Sequence, residues 1–240
     1  MALNWPAILN FIRYTSVFLN LLPLVFFLLF KKNNKEKSLR VIFYYILYCI
    51  INEGLSFYFH IIHFKDIIAF YALFTVAEFS FFCWFYYYAI SGGKMKKAIL
   101  PIWTLFFIFA FVDFFLINKM NSFDSIAVGV ESIIILLFCI FYLALQIRGS
   151  HNLFVYSTSN FWIVITFLIY ISGTFFLYIM AENMIQSREF QIEYIVINSV
   201  FNILKNILLS VAMIMKPTPV DFQLQKNKDY DDLLSYKFKT

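Results

Sequence analysis

Apolar residues in this chain come in long blocks separated by short polar segments, with no two-residue alternation inside the blocks. Leu100-to-Ile117 and Ser132-to-Leu145 are typical. A helix needs about 20 apolar residues to cross the hydrocarbon of a bilayer, whereas a barrel strand shows alternation over about 10. The pattern therefore predicts membrane-spanning helices. Seven are read, over Pro6–Phe30, Val41–Ile62, Ile67–Ile90, Ala98–Ile117, Ser125–Leu145, Phe161–Ala181 and Phe190–Met215. The fold class is all-α, a polytopic seven-helix bundle.

Composition supports that class. Hydrophobic residues make up 62% and charged residues 14% of the chain, well outside the range of an ordinary soluble domain. No basic stretch precedes the first apolar block, so that block is expected to remain as a span and not to be cleaved as a signal peptide. Lys31, Lys32, Lys35, Lys37 and Arg40 follow span one, Lys94, Lys96 and Lys97 follow span three, Arg148 follows span five, and the tail carries Lys216, Lys226, Lys228, Lys237 and Lys239. The alternate loops offer only Lys65, Lys119 and Arg188. This asymmetry predicts an N-terminus outside and a C-terminus in the cytoplasm. The net charge of +5 then reflects topology and contact with anionic headgroups, and gives no sign of nucleic-acid binding.

Two units follow: residues 1–216 as the transmembrane domain and residues 217–240 as a flexible cytoplasmic tail, entered through Pro217 and Pro219. Leu233, Leu234, Tyr236 and Phe238 could form a small docking patch on that tail. The loops are too short to hold a catalytic domain, and the chain is expected not to be an enzyme. Cys49, Cys83 and Cys139 all fall within spans and read as small core residues.

The candidate chemistry lies in charges placed inside the apolar blocks. A charged residue at the centre of a spanning helix costs about 2.5–3.5 kcal/mol on insertion scales, so such groups are compensated or functional. At about 1.5 Å per residue, Glu53, Glu78 and Lys205 all fall roughly 15–21 Å below the outer surface, one band near the middle of a roughly 30 Å core. Lys205 lies too far from either surface for its stem to snorkel out. Asn198, Asn202 and Asn206 recur at helical spacing around it, giving one polar stripe that is expected to face the bundle interior. Glu53, Glu78, Lys205, Asn202 and Asn206 are therefore the predicted charge network or ligand and ion site. The alternatives are an ion-paired network that fixes helix register, a binding site, or the attachment point of a chromophore. Arg13, His60, Asp113 and Glu131 form a second candidate layer, about 7–11 Å from the outer surface.

His60 and His63 stand one turn apart, a spacing at which two imidazoles can share a metal ion, but His151 falls on the other side of the membrane and no metal site is assigned. No Ser/His/Asp or Cys/His arrangement is identifiable. Ser172, Gly173 and Thr174 supply small residues for a close helix crossing.

Seven helices with a carboxylate in the third (Glu78) and a lysine in the seventh (Lys205) resemble the plan of microbial rhodopsins, which implies retinal on Lys205 as an option. Two features depart from that plan: Phe201 stands where those proteins have an aspartate four positions before the lysine, and span six lacks a proline-containing aromatic cage. The segments Phe161-Trp162-Ile163, Leu168-Ile169-Tyr170-Ile171-Ser172-Gly173-Thr174-Phe175-Phe176 and Asn202-Ile203-Leu204-Lys205-Asn206-Ile207-Leu208 resemble uncharacterised bacterial seven-helix proteins whose genes often neighbour sensor histidine kinases. That resemblance implies a sensory or accessory membrane module with a signalling partner such as a histidine kinase. The resulting expectation is a receptor-like protein of a bacterial cytoplasmic membrane that senses a small ligand, proton or lipid. A transporter or channel built on the same core, and a structural subunit of a membrane complex, are the alternatives.

Overall fold

The computed structural model describes residues 5–30, 36–62, 67–90, 93–117, 125–148, 155–184 and 187–215. Among these residues the chain is helical, with no β-strand. In chain order the helices are α1 (Trp5–Leu19), α2 (Leu21–Leu29), α3 (Lys37–Ile61), α4 (Ile67–Ala89), α5 (Gly93–Val112), α6 (Ser125–Arg148), α7 (Ser159–Met184) and α8 (Arg188–Ile214). Six of them, α3 to α8, are long and apolar enough to cross a membrane, which makes this a multi-pass membrane protein. The tail patch of Leu233, Leu234, Tyr236 and Phe238, and also His63 and His151, lie outside the described residues.

The first apolar block is not one helix but two, and the cause is local. Pro23 has no N–H to give the carbonyl of Leu19, and its ring collides with that carbonyl in a regular helix. The chain responds at Asn20, whose N–H reaches back only three residues to Val17 O at 3.2 Å. Asn20 thus sits at a break in an apolar run, with its side chain turned inward and only 3% exposed.

Helix α8 packs between α7 on one side and the α1–α2 pair on the other; α7 continues onto α6, α6 onto α4 and α5, and α3 lies against α2, α4 and α7. The ring closes around an aromatic core. Phe82 meets Phe167 edge-on at 4.6 Å, Phe79 meets Phe106 at 4.1 Å, and Tyr45 packs against Phe82 and Phe167. These contacts fill the half of the bundle nearer Lys37. There α3 buries Leu39, Val41, Ile42, Tyr45 and Ile46, whereas beyond Glu53 the same helix exposes Leu55, Phe57, Tyr58 and Ile61. Polar bonds fasten the Lys37 end. Asn160 donates to Glu36 at 2.7 Å, and Ser159 donates to the Met215 carbonyl at 3.1 Å.

Two local features fit the residues found there. Gly93 takes φ 79° in the turn between α4 and α5, a conformation that favours glycine. Helix α5 widens into a π-helical segment over Asp113–Ile117, beginning at the buried Asp113.

The tightest crossing is between α7 and α8. A Cβ added at Gly173 would lie 2.2 Å from the Phe201 ring, so the glycine is what admits that ring. The small residues read from the sequence as a close-crossing motif do pack in that way at Gly173. Without hydrophobic drive between helices in lipid, such fit is a main source of association. Gly173→Ala is expected to destabilise the folded bundle by about 1–3 kcal/mol, the usual range for overpacking. Phe201→Leu in the same chain should restore most of the loss, measured by thermal unfolding in detergent; an additive, unrescued loss would show that the two residues do not share the contact.

Candidate functional site

Helix α8 carries one buried polar face. Ser199, Asn202, Lys205, Asn206 and Ser210 are all buried, at the three- and four-residue spacing that stacks side chains along one side of a helix. The face points into the bundle because every alternative places amides and an ammonium in hydrocarbon. Asn198, one turn earlier, is half-buried and accepts a hydrogen bond from Tyr178 of α7 at 3.1 Å.

The break at Asn20 meets this face. Asn206 donates through Nδ2 to Asn20 Oδ1, and Asn20 donates through its own Nδ2 to Glu53 Oε2 at 2.5 Å. One chain of amides therefore joins α8, the α1–α2 break and α3. Asn202 does not join it. Its Nδ2 donates instead to Ser16 of α1 at 3.3 Å. On the other side of Lys205, Tyr45 of α3 donates to Glu78 Oε1 of α4 at 2.7 Å.

Lys205 sits between these two carboxylate arms and is 7% exposed. Its Nζ lies 4.5 Å from the centre of the Tyr170 ring and 6.0 Å from that of Tyr45, the positions of cation–π contacts. Glu53 and Glu78 both lie within electrostatic reach of it. Among the described residues, however, it forms no direct salt bridge. Both carboxylates instead accept from neutral donors. Beside the lysine is a cavity of ≈ 10 Å³ lined by Asn20, Tyr45, Ile46, Cys49, Lys205, Asn206 and Leu209, about the room that one water molecule needs.

The three charges placed in one band by sequence depth are therefore brought together. Asn206 belongs with them and Asn202 stands one turn aside. Of the second layer, Asp113 and Glu131 are buried on the α5–α6 side, and neither is among the groups facing Lys205. Glu131 lies within reach of Cys83 on α4. The side chains of Arg13 and His60 lie outside the described residues.

Sequence reasoning missed Asn20, Tyr45, Tyr170 and Cys49. Asn20 did carry a signal: an amide inside an apolar block, three residues before a proline. The tyrosines carried none, because they are two among 16 in the chain. Cys49, read as a small core residue, is half-buried and borders the cavity.

Removing the Asn20 side chain orphans a donor on Asn206 and an acceptor on Glu53. Hydrogen bonds to charged groups contribute about 1.5–3 kcal/mol, so Asn20→Ala is expected to destabilise the protein by roughly that amount. Asn206→Ala should cost less, and the double variant should fall short of the sum because the two amides act in one chain. Chemical or thermal unfolding of the four proteins gives the coupling; strict additivity would contradict the chain.

No protein-family model matches the chain, and no curated protein or solved structure is similar to it.

Proposed function

We propose that this protein is a receptor-like module of a bacterial cytoplasmic membrane, with seven spans counting the broken α1–α2 pair, its N-terminus outside and its C-terminus in the cytoplasm. Its charged core takes up a small ligand, proton or lipid and changes how Glu53, Glu78 and Lys205 pair. The basic loops and tail then pass the change to a partner protein, for which a histidine kinase is the class suggested by the resemblance in spans six and seven.

One observation carries this reading. The Lys205 ammonium lies between two carboxylates that are held by other donors, on aromatic rings and beside a small cavity. A network built only to fix helix register gains most from direct, fully bonded pairs. An ammonium not committed to either glutamate can move toward one or the other at small cost. Those glutamates sit on α3 and α4, while the lysine sits on α8, so a change of partner biases how these helices pack. The same core also suits a transport pathway, and the distinction is experimental.

Lys205→Met is expected to insert and fold while losing the response of the tail or partner to the stimulus, read as a fluorescence change from a probe on Lys226→Cys. Purified wild-type protein in liposomes is expected to show no substrate flux or ion current by itself. Flux from the protein alone would favour the transporter, and an unchanged response in the variant would remove Lys205 from the mechanism.

A further inference from the structure

Among the described side chains of the core, Glu53 and Glu78 together carry two negative charges when ionised and Lys205 supplies one positive charge; the side chain of Arg13, on α1, lies outside the described residues. A net charge left at this depth is expensive. Within the core, the groups that face Lys205 include Tyr45, Cys49 and Glu53 on α3, Glu78 on α4 and Tyr170 on α7, and Glu78 in turn faces Lys205, Tyr45, Tyr48, Cys49, Tyr170 and Tyr178. Behind them stand Tyr48, Tyr178 and Tyr194, all neutral phenols at ordinary pH. Helices α1 and α2 present the uncharged Ser16 and Asn20. Nothing among these described groups supplies a second positive charge.

The cavity limits what can enter. Its ≈ 10 Å³ is about the room of one water. A small anion would add to the excess negative charge. A metal cation would have to share the cavity with the ammonium that lines it. A proton needs no volume and removes the imbalance.

The hydrogen bonds also say where that proton goes. Asn20 is held at both ends: its Oδ1 accepts from Asn206, and its Nδ2 is left to donate to Glu53. An amide nitrogen donates to either form of a carboxyl but offers no acceptor to the O–H of an acid, so a proton on Glu53 would find no partner in the Asn20 nitrogen. Tyr45 is different. Its hydroxyl donates to Glu78 at 2.7 Å, but a phenol both donates and accepts, and rotation of one O–H reverses the bond.

We infer that Glu78 is a proton-binding site, so that the stimulus sensed by the core is a proton carried on this carboxyl while Glu53 stays ionised as the counter-charge of Lys205. This rests on the receptor-like reading and names its ligand. The proton passes from a hydronium ion to Glu78 Oε1 and leaves water behind; the Tyr45 hydroxyl, which donated to that oxygen, turns and accepts from it. Lys205, no longer drawn toward α4, is left to Glu53 on α3. Loss of the proton restores the pull toward α4. The switch is thus a competition between two helices for one ammonium.

The test is infrared difference spectroscopy of the full-length protein in lipid nanodiscs, titrated with pH at fixed ionic strength. A carboxylic-acid carbonyl band is expected that titrates as one group. It should vanish in Glu78→Gln and persist in Glu53→Gln, with both variants checked for folding by size-exclusion chromatography and tryptophan fluorescence. Tyr45→Phe provides a second, milder variant: it should keep the band but shift its frequency, because the acid loses its hydrogen-bond partner. A band lost in Glu53→Gln and kept in Glu78→Gln overturns the assignment, as does a band insensitive to both. A midpoint that moves with sodium concentration at constant ionic strength assigns the site to a metal cation and overturns the proposal. A titrating Glu78 band with a silent tail probe upholds the proton site and rejects the receptor reading, so the two failures are distinguishable.

Discussion

An ammonium buried in a bundle of apolar helices has given up most of its water, and the rest of this structure can be read as the answer to that problem. Lys205 is too far from either surface to reach a headgroup, so its charge is met by aromatic faces and by carboxylates on two other helices. Each of those carboxylates brings a solvation problem of its own. Glu53 is served by Asn20 and Glu78 by Tyr45. The demand for an amide at Glu53 in turn explains why Asn20 sits at a helix break, where Pro23 has already disturbed the backbone. One charge thus dictates polar positions on α1–α2, α3, α4, α7 and α8.

The division of the bundle follows from the same constraint. Nearer Lys37 the core is dry and aromatic, packed through Phe79, Phe82, Phe106 and Phe167, and closed at its end by Asn160 and Ser159. Around Lys205 it becomes polar, and beyond Glu53 helix α3 exposes most of its circumference. The close fit of Phe201 on Gly173 places a close α7–α8 crossing one turn from the lysine.

Much of this was legible in the sequence, for a geometric reason. The rise per residue converts position in a span directly into depth, and depth alone brought Glu53, Glu78 and Lys205 into one layer. The period of the helix likewise showed that Asn202, Asn206 and Lys205 share a side of α8. Azimuth between helices is not written in that way. Asn202 therefore looked equivalent to Asn206, although one meets Ser16 and the other Asn20. Asp113 and Glu131 looked like members of an outer layer belonging to the same core, although both lie on the α5–α6 side. Tyr45 and Tyr170 were invisible because an aromatic that solvates a cation looks, in sequence, like one that packs against lipid. The break at Asn20 was readable from Pro23, but an unbroken apolar run outweighed it.

The claim on which the account rests is that Lys205 is a charged ammonium sheltered among Tyr170, Glu53 and Glu78. Solid-state nuclear magnetic resonance of the lipid-embedded protein, labelled with ¹⁵N at lysine side chains and ¹³C elsewhere, measures it directly, with the Lys205 signal identified by its loss in Lys205→Met. The account expects an ammonium ¹⁵N shift at neutral pH, with through-space transfer to glutamate carboxyl carbons and tyrosine ring carbons. A neutral amine shift, or transfer to lipid acyl chains with none to a carboxyl carbon, would contradict it.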